Sequence, residues 1–216
     1  FTDKVGCFAE IDRQSIYQQH RRLGSIHVAV RSSGLKEDGG EKSYAGVFES
    51  VLEVKREGLF DAIDVVRSSM GSARARAYGD GDERGGIVVQ AMVPAEHAGV
   101  MFTEHPGNTG STLIELVDGL CEQLVGGAVT PKAFEFTRVS GQRVSKQEPP
   151  VDLGPLLELG RQVEALFGAP QDIEWAFCGG ALHLLQSRPI TNLPVQPIEV
   201  IWEPTLPARY VSRRQI

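Results

Sequence analysis

The second half of the chain is rich in short, largely apolar segments, and this pattern constrains the fold more than any other feature. Such segments are typical of β-strands. Turn-forming residues separate most of the segments, for example Pro106-Gly107-Asn108 and Gly179-Gly180. We predict strands over residues 87–93, 98–103, 112–117, 133–138, 173–177 and 182–186. Short strands joined by tight turns favour a largely antiparallel sheet.

Helical spacing and further strands complete the pattern. Residues 12–23 read as a short polar helix that ends at Gly24, and residues 59–78 have apolar residues at helical intervals. Residues 153–167 read as a third helix, and Asp152 is placed to cap it. Residues 26–31 and 47–54 read as strands on either side of a glycine-rich loop at residues 32–46. We therefore predict an α+β fold, a mostly antiparallel sheet with flanking helices.

Changes in composition divide the chain into two lobes and a tail. The acidic, glycine-rich stretch Gly-Asp-Gly-Asp-Glu-Arg-Gly-Gly at residues 79–86 interrupts the regular pattern, and prolines recur after residue 189. We predict a first lobe at residues 1–86, a second lobe at residues 87–191, and a linker or strap at residues 192–216.

Charge and cysteine content exclude several functional classes. The formal net charge is -6, whereas general nucleic-acid binders need clustered Lys and Arg. The three cysteines are too few and too scattered for a disulfide framework or a zinc site, which favours a reducing, cytoplasmic setting. We find no signal peptide and no apolar run long enough to cross a membrane.

One predicted hairpin collects the side chains needed for metal and phosphate chemistry. Asp172 and Glu174 are two apart on a strand and project to one face. A turn at Cys178-Gly179-Gly180 would return the chain so that Gln186 and Arg188 lie beside them. Carboxylate and amide oxygens suit Mg²⁺, and a guanidinium suits phosphate. Spacing alone fits an ordinary surface hairpin with an ion pair equally well.

A second cation, Arg31, ends the strand that precedes the glycine-rich loop. Small residues in such a loop allow backbone N–H groups to approach phosphate, with Gly46 and Ser50 at the far end. Most glycine-rich stretches are only turns, so the loop alone does not establish a phosphate site.

Several ordered motifs together resemble one known family. They read VAVRSSGLKED, SYAGVFESVLEV, IVVQAMV, AGVMFTEHP, LIELVDGLCEQLVGGAVTP, FGAPQDIEWAF and LHLLQSRPIT, and they span residues 28–191. In this order they resemble the ATP-grasp domain of phosphoenolpyruvate synthase, pyruvate phosphate dikinase and rifampin phosphotransferase. The ending Gln-Ser-Arg-Pro-Ile-Thr resembles the synthase and the antibiotic phosphotransferase more than the dikinase.

The resemblance implies a set of roles, with ATP and Mg²⁺ as cofactors. The catalytic residues would be Arg31 and Arg188, which contact the ATP phosphates. Gly46 and Ser50 would close over the phosphates. Gln90 and the backbone of Met92 and Val93 would bind adenine. The metal residues would be Glu174, Gln186 and Asp172.

The resemblance also implies partners. Family members pass a phosphoryl group from ATP to a histidine on a swivelling domain, release AMP, and serve an acceptor-binding domain. An additional N-terminal lobe with a lysine that reaches ATP belongs to the family pattern, and no segment here matches it, so we expect the first lobe to be incomplete. His105, alone in a loop, reads as a surface residue.

The sequence departs from the family at Cys121, where Gly-Leu-Gly-Glu becomes Gly-Leu-Cys-Glu and leaves the role of Glu122 open. This departure and the absent lysine lobe motivate an alternative, a nucleotide-binding or regulatory module without catalysis. A carboxylate–amine ligase shares the metal logic but would yield ADP, and the Gln-Ser-Arg-Pro-Ile-Thr ending argues against it.

Overall fold

A computed structural model describes residues 13–34, 50–70, 85–121, 129–190 and 193. Its helices are α1 (Arg13–Arg22), α2 (Leu59–Met70), which follows a short 3₁₀ turn, and α3 (Gly154–Phe167). Its strands are β1 (Val28–Gly34), β2 (Ser50–Val54), β3 (Gly85–Ala91), β4 (His97–Phe102), β5 (Ser111–Asp118), β6 (Lys132–Thr137), β7 (Gln171–Cys178) and β8 (Ala181–Pro189). The predicted α+β class is confirmed, because helices flank antiparallel sheets.

The first sheet has three strands in the order β2-β1-β3, and both pairings are antiparallel. Val28 and Val30 on β1 are fully buried with Leu59 and Val66 of α2. Tyr17 of α1 meets the ring of Phe60 edge-on at 5.1 Å. One face of this sheet is therefore covered by helices, because alternate residues of β1 supply the apolar surface.

The second sheet has five strands in the order β6-β5-β4-β7-β8, and every pairing is antiparallel. Helix α3 covers one face through Leu156, which packs in a core with Met101, Ile114 and Trp175. Trp175 and Phe177 of β7 belong to this core, with exposed fractions of 0% and 8%. Glu174, which lies between Ile173 and Trp175 on β7, therefore projects to the opposite face of the sheet.

Most predicted elements differ from the observed ones only at their ends. β1 continues to Gly34, three residues into the predicted loop, because Ser32, Ser33 and Gly34 pair with β3. The predicted cap at Asp152 is one residue off, because α3 begins at Gly154 and its N-cap residue is Leu153, which makes no side-chain cap. Asp152 Oδ1 nevertheless accepts a hydrogen bond from the Gly154 N–H at 2.9 Å. Residues 71–78 of the second predicted helix lie outside the described residues.

The change from one sheet to the other falls between Ala91 and His97. β3 lies after the predicted lobe boundary at residue 86, yet its full length pairs with β1. The three-stranded sheet thus extends beyond that boundary, and the rest of the division into two lobes and a strap stays a prediction. Within the described ranges, no helix is long and apolar enough to span a bilayer.

Candidate nucleotide and metal site

The face of the five-stranded sheet opposite α3 carries a row of polar side chains. Directly paired residues on antiparallel strands project to the same face. Val100 pairs with Glu115 on one side and with Glu174 on the other, and Glu174 pairs with Gln186. The next row brings Asp172 opposite Arg188. These side chains share one face because β4 holds β5 and β7 in register.

The β7–β8 hairpin therefore places its four predicted residues side by side. Gly179 and Gly180 have φ values of 57° and 76°, which suit a two-residue hairpin turn that needs positive φ at both positions. Arg188 donates from Nε and Nη2 to Asp172 Oδ2 at 2.8 and 2.6 Å. Asp172 is buried, with an exposed fraction of 8%, so this charged pair lies partly within the protein.

The hairpin contains an irregularity that the sequence pattern did not reveal. From the turn, Cys178 pairs with Ala181 and Trp175 pairs with Leu184, but Glu174 then pairs with Gln186 rather than with Leu185. One extra residue in β8 thus forms a β-bulge between Glu174 and Trp175. The bulge is what carries Gln186 and Arg188 onto the face of Glu174.

Glu174 and Gln186 have the chemical properties of ligands for a cation. Gln186 Oε1 is buried and has no hydrogen-bond partner in the described part of the chain. Burial raises the pKa of Glu174, Arg31 and Arg188 lower it, and Asp172 raises it further. A hard divalent cation would satisfy the amide oxygen and stabilise the buried carboxylate, so the residues present fit Mg²⁺.

Arg31 joins this cluster from the first sheet. Its Nη1 lies 3.9 Å from Glu174 Oε2, and the two side chains are 23% and 26% exposed. Arg31 pairs with Ser50 on β2 and with Val88 on β3, so these three side chains share the face of the sheet that α2 does not cover. Gln90 pairs with Ala29 on the same face. The faces of both sheets thus contribute to one site.

The predicted adenine hinge is the segment that links β3 to β4. The Met92 N–H donates to the His27 carbonyl at 3.0 Å, and the Val93 carbonyl accepts from the Ala95 N–H at 2.8 Å. The Met92 carbonyl and the Val93 N–H make no backbone hydrogen bond among the described residues. One acceptor and one donor therefore remain on adjacent residues.

Two residues near the site went unassigned in the sequence. Glu115 lies in the row of Glu174, and its position as the one charged residue in the segment Leu-Ile-Glu-Leu-Val could have revealed it. Cys121 lies close enough to Glu174, Asp172 and Glu115 for these carboxylates to act on it. Burial, with a further contribution from them, raises the pKa of the Cys121 thiol to about 12. Cys121 is thus a neutral thiol at the edge of the site.

The remaining predicted residues fall into two groups. Gly46 and Glu122 lie outside the described residues. His105 lies in the β4–β5 loop, where its Nδ1 accepts a hydrogen bond from the Gly107 N–H at 2.8 Å. No group of three or more His, Cys, Asp or Glu side chains is arranged around a metal position within the described ranges. Any cation here would depend on the amide of Gln186.

Comparison with known proteins agrees with the resemblance drawn from the motifs. Residues 9–153 match the family described as pyruvate phosphate dikinase, AMP/ATP-binding domain. The β7–β8 hairpin lies beyond that match. A solved structure of D-alanine–D-alanine ligase from Helicobacter pylori matches at 9% identity and a TM-score of 0.36, over 83% of this chain and 54% of that chain, too slight a likeness to support an inference.

Curated relatives extend over more of the chain. A probable phosphoenolpyruvate synthase from Methanothermobacter thermautotrophicus is 38% identical over 80% of this chain and 31% of its own length. Rifampicin phosphotransferase from Streptomyces sviceus is 33% identical over 76% and 23%, and the prodigiosin synthesizing transferase PigC from Serratia marcescens is 32% identical over 88% and 26%. The chain thus spans under a third of the length of these relatives. It belongs to the pyruvate phosphate dikinase AMP/ATP-binding domain family, the nucleotide-binding domain of phosphoenolpyruvate synthase-like phosphotransferases.

Proposed function

We propose that this domain binds ATP with Mg²⁺ and donates one phosphoryl group to a histidine on a separate swivelling domain, while water takes the other. ATP, histidine and water thus give phosphohistidine, AMP and inorganic phosphate. The observation that carries the proposal is the convergence of Arg31, Glu174, Gln186 and Arg188 on one site. Phosphoryl transfer needs positioning and charge neutralisation more than covalent assistance from the nucleotide-binding domain. Two guanidinium groups and an oxygen-lined cation position supply both.

Each side chain has a role that follows from its chemistry. Arg31 and Arg188 would neutralise phosphate oxygens, with Arg188 held by Asp172 so that its direction is set before the nucleotide arrives. Glu174 and Gln186 would hold Mg²⁺, which supplies charge neutralisation and orientation of the phosphates when bound. Asp172 is engaged by Arg188 through Oδ2, so we assign it a supporting role rather than a direct ligand role.

The base and the phosphate loop occupy the other end of the site. We assign adenine recognition to the Met92 carbonyl and the Val93 N–H, which offer the acceptor and donor that the base edge requires. Gln90 and Ser50 lie on the face that carries Arg31, which supports contact with the nucleotide. We assign Gly46 to the phosphate loop on the strength of the family motif.

The decisive measurement is AMP release by the complete protein, with its histidine and acceptor-binding domains present and the lysine-bearing lobe supplied. Glu174→Ala and Arg188→Ala should abolish AMP formation, measured by chromatography of the nucleotides. Asp118→Asn is a suitable control, because Asp118 is the last residue of β5 and its carboxylate pairs with His97 and Lys132. Unchanged AMP production by the Glu174 or Arg188 variant would contradict the assignment.

A second candidate function is a regulatory module that binds nucleotide without catalysis. It is favoured by Cys121, whose thiol takes the place of a motif glycine close to the site carboxylates. Both functions require nucleotide binding, so calorimetry does not separate them. Nucleotide binding without any AMP formation in the complete protein would favour the module over the enzyme.

A further inference from the structure

We propose that Glu174 masks the phosphate-binding Arg31 when no metal is bound, so that metal binding at Glu174 and Gln186 makes Arg31 available to the nucleotide. This inference rests on the proposed function and concerns the partner that neutralises Arg31 before and after the metal binds. The relevant contacts are Arg31 with Glu174 and Arg188 with Asp172.

Among the described residues, carboxylates outnumber guanidinium groups at this site. Each guanidinium has one carboxylate partner, and Glu115 adds a further carboxylate to the same face. A free polyphosphate carries several negative charges and would meet described side chains with no net positive charge. To reach Arg31 it would also have to displace or approach Glu174, and repulsion at such distances weakens binding.

A divalent cation would remove the repulsion between phosphate and Glu174. When Glu174 and Gln186 bind the metal, Glu174 no longer has to balance Arg31, and the guanidinium becomes available to phosphate. Metal and nucleotide then favour each other's binding. Because such coupling is reciprocal, the factor by which metal tightens nucleotide binding equals the factor by which nucleotide tightens metal binding.

The two arginines differ in how firmly they are held. Arg31 and Glu174 are 3.9 Å apart and make no hydrogen bond, whereas Arg188 donates twice to the buried Asp172 at 2.8 and 2.6 Å. The loose pair is the one that contains a proposed metal ligand. Glu174 therefore controls the exchange, while Asp172 keeps Arg188 oriented whether or not metal is present.

The test is to remove the charge of Glu174 and measure metal-free binding. Calorimetry with the full 216-residue chain would use the non-hydrolysable analogue AMP-PNP, once with excess EDTA and once with excess Mg²⁺. Glu174→Gln keeps the shape of the side chain, and we expect it to bind metal-free AMP-PNP about 3- to 10-fold more tightly than the wild type, as for removal of a partly exposed charge interaction. The variant should also lose most of the enhancement by Mg²⁺.

Asp118→Asn serves as the matched control, since it removes a carboxylate from the same sheet outside the polar row and should leave both affinities unchanged. Thermal unfolding followed by circular dichroism shows whether each variant is folded, and Glu174→Ala provides a second variant if Glu174→Gln is not. Equal or weaker metal-free binding by folded Glu174 variants overturns the inference and leaves the proposed function intact. A wild type that binds no AMP-PNP even with Mg²⁺ contradicts the proposed function itself.

Discussion

Replacing Gln186 by methionine should raise the free energy of unfolding in the absence of metal, while Mg²⁺ binding is lost. Gln186 Oε1 is buried without a hydrogen-bond partner among the described residues. A buried acceptor left unsatisfied costs about 1–3 kcal/mol, and the side chain is only partly buried, so the lower end applies. Methionine has a similar length and removes the amide. We expect a gain of up to about 1 kcal/mol.

Gln171 on β7 provides a control of the same residue type with the opposite expectation. It is fully buried, its Nε2 donates to the Ala169 carbonyl at 2.9 Å, and its Oε1 accepts from Ser187 Oγ at 2.8 Å. Gln171→Met loses both bonds and leaves Ser187 without that partner. At about 1 kcal/mol for each bond, the loss should be about 2–3 kcal/mol.

Urea denaturation in EDTA measures both variants, with tryptophan fluorescence as the probe because Trp175 is buried in the core. Titration with Mn²⁺, followed by electron paramagnetic resonance, reports metal binding separately. If Gln186→Met is as destabilised as Gln171→Met, or if it retains wild-type metal affinity, Gln186 Oε1 is not an unsatisfied acceptor that binds the cation. The reasoning about Gln186 would then be refuted.

Three further predictions concern the sheet, the helix and the pH response. Gly99→Ala should destabilise the protein by at least about 3 kcal/mol in urea denaturation, because its Cβ would lie 1.8 Å from the Glu115 carbonyl oxygen. The control Gly58→Ala has open space around it and should change stability by less than about 1 kcal/mol. Arg138→Ala should cost about 1–2 kcal/mol by the same assay, since Arg138 bonds both Glu104 on the β4 side and Glu164 on α3, and an unchanged midpoint would show that neither bond matters. Mn²⁺ affinity should fall as pH is lowered through the raised pKa of Glu174, because the protonated acid cannot bind metal. Arg31→Gln removes a cation that lowers this pKa, so it should move the loss of affinity to higher pH, and an unshifted pH profile would contradict the coupling of Arg31 to Glu174.

The elements of the fold were largely predictable because turn residues separate short, largely apolar segments. Residues 98–103 and 112–117 are such segments, and the structure forms strands there with ends that differ by a residue. β1 was the exception, since Ser32 and Gly34 carry no apolar signal and extend only because β3 lies beside them. Pairing between distant strands is a tertiary effect that local composition does not encode.

The site was predictable in its residue types but not in its charge state. The alternation of Asp172 with Glu174 and of Gln186 with Arg188 suggested the convergence. The sequence could not show that Arg31 reaches Glu174, because that contact joins two sheets, nor that Gln186 Oε1 is left unbonded. Glu115 was missed because its face is determined by the register with Val100. Such features depend on three-dimensional packing.

Because of the bulge in β8, the face to which Gln186 and Arg188 project depends on whether the number of residues between them and the turn is odd or even. Without the extra residue, the pairing that starts at the two-glycine turn would continue Trp175 with Leu184 into Glu174 with Leu185. Leu185 and Ser187 would then stand beside the carboxylates, and Gln186 and Arg188 would point toward α3. Deletion of one residue between the turn and Gln186 would move Gln186 and Arg188 to the α3 face of the sheet, although both residues would still be present in the sequence. Deletion of two residues would return them to the face of Glu174.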